Sequence, residues 1–135
     1  MKIKDLRVHI ISAPLVQPFQ FSQAWVDKRD SVIVEVETSD GVCGFGECLC
    51  HGHQEPFMAA AFIEHCYKPQ VVGRDLFEVE VIWETLYNSA RPIGQQGAAI
   101  NAQSGIDIAI WDAIGKTLNQ PVYNLLGGRY RDKIP

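Results

Sequence analysis

Five side chains of the types that bind metals are concentrated in residues 47–53, which read Glu-Cys-Leu-Cys-His-Gly-His. Thiolate and imidazole are common zinc ligands, so this run is a candidate zinc site. Its spacing is tight for a standard tetrahedral site, however, and only His65 and Cys66 follow it as further candidates. We therefore favour a ligand-binding loop in which Gly52 is the hinge.

Histidine in such a loop can hydrogen-bond a substrate hydroxyl or carboxylate, or transfer a proton near neutral pH. We predict that His51 contacts substrate, with Cys50 beside it. We interpret His53 as a solvent-facing side chain near the start of the next helix.

A second candidate binding segment covers residues 14–30, where aromatic and amide side chains alternate. We expect a structureless loop, and loops longer than about 12–15 residues are often lids or binding loops. Aromatic side chains among amide donors suit a pocket wall that excludes water and orients a polar ligand. We predict that Phe19, Phe21 and Trp25 bind substrate. The alternative is that these aromatics fold back onto the core of their own domain.

Three antiparallel strands are predicted to position these segments. Leu6, Val8 and Ile10 alternate with charged residues, which indicates a first strand with one buried face. Residues 31–38 alternate in the same way, and Asp40-Gly41 is typical of a hairpin turn before a third strand at 42–48. Glycines in that third strand leave room for another element to pack closely.

Helices are predicted to follow the sheet, which gives an α+β fold with the helices on one face. The first covers residues 56–67 and is stopped by Pro69. The second covers residues 76–89, with Asp75 and Glu78 as a capping box.

The longest predicted helix follows a loop at residues 90–97 and contains the stretch that starts at Asn101. Its apolar residues recur at steps of three and four, which places them on one face; they are Ala102, Ile106, Ala109, Ile110, Ala113, Ile114 and Leu118. Ile108 and Trp111 lie on the other side, so this helix is expected to pack against other parts of the protein on more than one side. Asn119 and Pro121 end it, and Gly127-Gly128 closes a second short helical turn.

Composition excludes several classes of protein. The chain has 135 residues, 47% hydrophobic and 21% charged, with a net charge of −4. Such a balance is typical of a globular domain and does not favour nucleic-acid binding. We find neither a signal peptide nor an apolar run long enough for a membrane helix. The four cysteines are therefore expected to be free thiols in a reducing cytoplasm.

Two motifs resemble the N-terminal domain of the enolase superfamily, in the mandelate racemase and muconate lactonising enzyme group. The first is Gly41-x-x-Gly44-x-Gly46-Glu47. The second comprises Ile106-Asp107, Ala109, Trp111-Asp112, Gly115-Lys116, Pro121 and the run Leu125-Leu126-Gly127-Gly128. The resemblance implies a three-stranded antiparallel meander followed by a helical bundle, which caps a (β/α) barrel.

The resemblance also implies a function for residues 1–132 as a capping domain, with 133–135 at the start of a barrel. In such an enzyme Mg²⁺ and the bases that abstract the proton α to a carboxylate belong to the barrel. The expected partners are that barrel, a small carboxylate substrate and further copies of the chain. The reaction is expected to be dehydration or racemisation of a hydroxy or sugar acid.

No residue of this chain is predicted to be catalytic or to bind metal. Glu47 is interpreted as structural, since one carboxylate without a partner is little evidence for a general base. Asp107, Asp112 and Lys116 are interpreted as holding the long helix to the barrel, with a metal site as the lesser option. The rival hypothesis is a free-standing α+β module that binds a small ligand without catalysis.

Overall fold

An antiparallel sheet with the strand order β1-β2-β3 forms one layer of the computed structural model, which describes residues 1–22, 24–50 and 56–133. The strands are β1 (Ile3–Phe21), β2 (Ala24–Thr38) and β3 (Cys43–Cys48). Gly41 has φ +83°, and its N–H donates to the carbonyl of Thr38 at 3.0 Å. The predicted meander and its second hairpin are therefore confirmed.

Past the sheet, β1 and β2 continue as a two-stranded ribbon. They pair as far as Pro14 opposite Lys28, and again from Phe19 opposite Val26 to the tip, with an irregularity in between. The expectation of a structureless loop at residues 14–30 is therefore wrong. A ribbon with both faces exposed needs no apolar alternation, because its backbone hydrogen bonds form without a buried face.

The first helical region is longer than predicted. It comprises α1 (Pro56–Ala61), a π-helical segment (Phe62–Tyr67) and α2 (Lys68–Val71). The predicted end before Pro69 is wrong, since that proline lies in the first turn of α2. N–H groups in the first turn of a helix have no intrahelical partner, so the missing N–H of proline costs no hydrogen bond there.

The next helix, α3, covers Val79–Ser89, and the predicted capping box is wrong. Glu78 makes no side-chain cap bond. The Asp75 carboxylate instead accepts the N–H of Phe77 at 2.9 Å and lies 3.3 Å from the amino group of Met1. Asp75 therefore closes an Asx-type turn ahead of the helix and ties it to the N-terminus.

The long helix, α4 (Ala98–Leu118), packs on the sheet and is followed by α5 (Val122–Leu125). It begins at Ala98, directly after the loop predicted at residues 90–97. Asn119 ends it in the left-handed conformation, with φ 50° and ψ 43°, as predicted. The predicted apolar stripe is buried except at Leu118, which is 47% exposed in the last turn.

The core lies between the sheet and the helices. From the sheet it contains Leu6, Val32, Val34 and Val36, and Ile106 and Ile110 of α4 pack against them. None of the helices in the described part of the chain is long and apolar enough to cross a membrane.

Candidate functional site

A cleft of about 520 Å³ lies where the ribbon joins the sheet, beside the end of β3. The two segments predicted to bind ligand therefore meet at one place. The lining residues are Arg29, Asp30, Ser31, Glu47, Leu49, Cys50 and Ile108. Most of them come from the ribbon base and the end of β3, and Ile108 comes from α4.

Acidic side chains in the cleft differ in how well they are paired. Glu47 Oε1 accepts the hydroxyl of Ser31 at 2.6 Å, which supports its structural interpretation. The hydroxyl of Ser12 and then the ammonium of Lys28, 3.1 Å from Oδ2, lower the pKa of Asp30. Asp30 Oδ1 is buried and makes no well-formed hydrogen bond to any residue in the described ranges. Asp30 therefore places an ionised carboxylate in the cleft wall.

The cysteines near the cleft are neutral thiols at physiological pH. Burial raises the pKa of the half-buried Cys50 thiol, and the carboxylates of Asp30 and Glu47 raise it further. Burial raises the pKa of Cys48 to about 12. Cys48 Sγ lies 4.0 Å from the carbonyl oxygen of Ala102, inside the contact between β3 and α4.

The candidate zinc ligand Cys48 is fully buried, and its sulfur lies against α4 and not at the surface of the cleft. His51 and His53 lie outside the described residues. Among the residues that are described, no three histidine, cysteine or acidic side chains group in a way that could hold a metal ion. All four cysteines are free, as predicted.

Aromatic side chains at the ribbon tip do not fold back onto the core. Phe19 is 42% exposed and Trp25 is 66% exposed. Trp25 pairs with Gln20, whereas Phe19 and Phe21 pair with Val26 and Ala24, so the two phenylalanines share a face and Trp25 lies on the other. The predicted aromatic wall is thus divided between the two faces of the ribbon.

Arg29 connects the ribbon tip to the cleft. Its guanidinium carbon lies 5.1 Å from the centre of the Phe19 ring, within the range of a cation–π interaction, and the residue also lines the cleft. Sequence reasoning missed both Arg29 and Asp30. The one available signal was their position just before the apolar alternation of β2, because nothing in their type distinguishes them from ordinary surface charges.

Asp112 and Lys116 lie away from the cleft, along the outer edge of β3. Asp112 Oδ2 accepts the N–H of Phe45 at 2.8 Å, and Lys116 Nζ donates to the carbonyl of Cys43 at 2.9 Å. The two side chains, four residues apart on α4, also form an ion pair at 2.6 Å. They hold α4 to β3, which differs from the expectation that they hold the helix to a barrel.

Asp107 faces α3. It lines a pocket of about 340 Å³ together with Trp83, Trp111 and Glu80. Burial raises the pKa of Asp107, and the negative charge of Glu80 raises it further. This carboxyl is remote from the ribbon and plays no part in the cleft.

The fold, the glycine motif at residues 41–47 and the motif at residues 106–128 together define a known class of domain. Residues 5–127 match the family model described as "Mandelate racemase / muconate lactonizing enzyme, N-terminal domain". The chain belongs to this family, and its three-stranded sheet followed by helices is the N-terminal capping-domain fold of the enolase superfamily.

Similar proteins are enzymes. A D-galactarolactone cycloisomerase of Agrobacterium fabrum is 40% identical over 99% of this chain and 34% of its own length. An N-succinyl-L-Arg/Lys racemase of Bacillus cereus is 33% identical over 100% of the chain and 36% of its own. An arabinonate dehydratase of Saccharolobus solfataricus is 39% identical over 74% of this chain and 26% of its own length.

A solved structure shows the same fold. It is a member of the enolase superfamily from Polaromonas sp. JS666, with a TM-score of 0.86 and 32% identity over 97% of this chain and 34% of that one. The chain thus spans about a third of the length of the relatives that it matches.

Proposed function

We propose that this chain is the substrate-capping and specificity domain of an enzyme that abstracts the proton α to the carboxylate of a hydroxy acid or sugar acid. The observation that carries the proposal is the cleft at which the ribbon and the end of β3 meet. The names of the relatives, a cycloisomerase, a racemase and a dehydratase, support acid chemistry of this kind.

Polar groups in the cleft suit a substrate with several hydroxyl groups. Arg29 supplies a guanidinium donor for a hydroxyl or carboxylate, and the carboxylates of Asp30 and Glu47 line the same cleft as candidate acceptors for hydroxyl groups. Cys50 contributes a weakly polar wall, and we place His51 beside it. This donor and acceptor set favours sugar acids over purely aromatic acids.

The aromatic ribbon tip is proposed to exclude water when the substrate is bound. Phe19, Phe21 and Trp25 present apolar area at the end of a long two-stranded arm. Excluding water strengthens the electrostatic contacts inside a closed site. Dehydration and racemisation are the proposed reactions.

Magnesium in the whole enzyme would be held by residues outside this chain. Glu35, Glu37 and Asp112 are each bound by a lysine or an arginine. Among the described residues, no three acidic, histidine or cysteine side chains group so that they could hold a metal ion. Residues 1–132 would act as a cap on a C-terminal barrel that supplies the metal ligands and bases. We place the enzyme in the cytoplasm as a homo-oligomer.

Proton exchange in deuterated water tests the proposal directly. The whole protein is incubated with Mg²⁺ and a panel of hydroxy acids and sugar acids, and the α-proton signal of each acid is followed by NMR. We expect the α-proton signal of at least one sugar acid to disappear, because deuterium replaces the proton in exchange or racemisation and because dehydration gives a 2-keto acid without that proton. An intact α-proton signal for every acid in the panel would contradict the proposal.

A further inference from the structure

The outer edge of β3 is completed by side chains in the position where a fourth strand would lie. Because β3 is at the end of the sheet order, the backbone groups that face away from β2 have no strand partner. Asp112 accepts the N–H of Phe45 at 2.8 Å, and Lys116 donates to the carbonyl of Cys43 at 2.9 Å. One carboxylate and one ammonium thus replace two bonds of a strand ladder.

These two side chains also bind each other and the strand's own side chain. Lys116 Nζ is 2.6 Å from Asp112 Oδ2 and 4.9 Å from the centre of the Phe45 ring. Both side chains are partly exposed, at 34% for Asp112 and 45% for Lys116. An exposed ion pair alone contributes little to stability, so its bonds to the strand are the feature that distinguishes this pair.

β3 is also fixed on the face that packs against α4. A Cβ atom at Gly44 would collide with the carbonyl oxygen of Ala109, and one at Gly46 would collide with that of Gly105. The strand is therefore held by α4 both from above and along its edge. It ends at Cys48, and the chain then passes Leu49 and Cys50 in the cleft.

We propose that Asp112 and Lys116 are positioning residues that act through β3 on the cleft residues Glu47, Leu49 and Cys50. This inference rests on the proposed function insofar as the cleft binds substrate. Without the two edge bonds, β3 keeps its pairing with β2 and its glycine packing on α4 but loses the polar contacts that hold its outer edge to the helix. The walls of the cleft then shift relative to Ile108, which lies on the same helix.

The test uses the whole protein with four substitutions and two measurements. Asp112→Ala removes the acceptor for the N–H of Phe45 and the ion pair with Lys116. Lys116→Met removes the hydrogen bond to the carbonyl of Cys43, and Lys116→Arg keeps a cation that can donate to that carbonyl. Asp132→Ala is the matched control, because Asp132 forms an exposed ion pair with Arg129 at 2.9 Å, three residues away in sequence. Amide hydrogen exchange and the separate values of KM and kcat are measured for each.

We expect Asp112→Ala to speed exchange at Phe45 about tenfold or more, since a hydrogen bond to a charged group is lost. Exchange at Leu49 and Cys50 should also rise, and KM should rise while kcat stays close to that of the parent. Lys116→Met should do the same to a smaller extent, Lys116→Arg should restore the parent behaviour, and Asp132→Ala should change nothing.

Unchanged exchange at Leu49 and Cys50 in both Asp112→Ala and Lys116→Met would overturn the inference. An increase spread evenly over the whole domain, with KM unchanged, would overturn it as well, because that is a loss of stability alone. If Asp112→Ala does not fold, Lys116→Met decides. If the protein turns over no acid, the proposed function fails, and exchange at Leu49 and Cys50 still decides the positioning role.

Discussion

Single residues on the outward face of the sheet form a network of charges. Arg7 lies 2.7 Å from Glu35 and 2.9 Å from Glu37, and His9 lies 2.8 Å from the other oxygen of Glu35. Hydrogen bonds from Arg7 and then from His9 lower the pKa of Glu35 from near 4.5 to about 2. Glu35 is therefore ionised at neutral pH and acts as a cross-strand tie.

This shift predicts how stability depends on pH. The folded-state pKa of Glu35 is depressed, so its contribution is fully present above about pH 4.5 and is lost as the pH falls toward 2. Glu35→Gln should flatten that fall in the free energy of unfolding. Urea titrations at several pH values measure it, with Glu64→Gln on the exposed side of a helix as the control. An identical slope in Glu35→Gln and the parent would refute the assignment.

Among the secondary-structure elements, β3 and α4 are in close backbone contact, and Gly46 shows why. A Cβ atom there would collide with the carbonyl oxygen of Gly105 and lie 2.7 Å from the backbone nitrogen of Ala109. Neither backbone atom can move without shifting α4 as a whole. The glycines of the first sequence motif therefore have a packing function.

Gly46→Ala should consequently lower the free energy of unfolding by about 1–3 kcal/mol, the usual range for overpacking. Ser104→Ala, at an exposed position of α4, should stay within about 0.5 kcal/mol of the parent. Thermal or urea melts of the two variants measure the difference. Equal free energies of unfolding for the two variants would mean that α4 can move away from β3 without destabilising the fold.

Elements that bury one face could be predicted from the sequence. Val32, Val34 and Val36 gave β2 its apolar alternation, and Ile106 and Ile110 gave α4 its helical stripe, because burial produces periodicity. The ribbon and the exact start of α3 could not be predicted. They depend on backbone pairing and on a bond between Asp75 and the distant N-terminus, and neither leaves a local pattern.

The candidate site was predictable only in part, for the same reason. Cys50 was singled out from the sequence and lines the cleft. Phe19, Phe21 and Trp25 were singled out because aromatic side chains are unusual in a surface loop, but they lie toward the ribbon tip and do not line the cleft, so their contact with substrate stays a prediction. Arg29 and Asp30 were missed, since their role depends on the cleft between the ribbon base and β3, which forms only when β2 pairs with both of its neighbours.

At the scale of the whole molecule, the domain exposes apolar side chains that a further part of a longer protein could cover. Ile108 is 47% exposed, Leu49 is 63% exposed and Leu126 is 63% exposed. Exposed apolar patches of several hundred Å² usually mark an interface.

We therefore expect residues 1–135, produced alone, to self-associate and to bind hydrophobic dyes. Sedimentation velocity over a range of concentrations measures the association. The double substitution Ile108→Gln and Leu126→Gln should reduce it, whereas Ser104→Gln on an already polar exposed position should not. A monomer at high concentration, without dye binding, would show that this surface needs no partner.

The central claim is that the ribbon and the segment after β3 choose the substrate. The most direct measurement compares kcat/KM for the preferred acid and a competing acid in Trp25→Ala, His51→Ala and Ile110→Ala of the whole enzyme, with thermal melts of each. Trp25→Ala should raise KM and relax the choice between acids. His51→Ala should lower kcat/KM about ten- to a hundredfold through a lost charged hydrogen bond.

Ile110→Ala, a core control that is 1% exposed, should instead cost about 2–5 kcal/mol of stability and leave the substrate preference of the surviving enzyme unchanged. We expect Trp25→Ala and His51→Ala to change the ratio of kcat/KM between the two acids while keeping the melting temperature of the parent. Early melting of both variants, with the kcat/KM ratio of the parent, would contradict it.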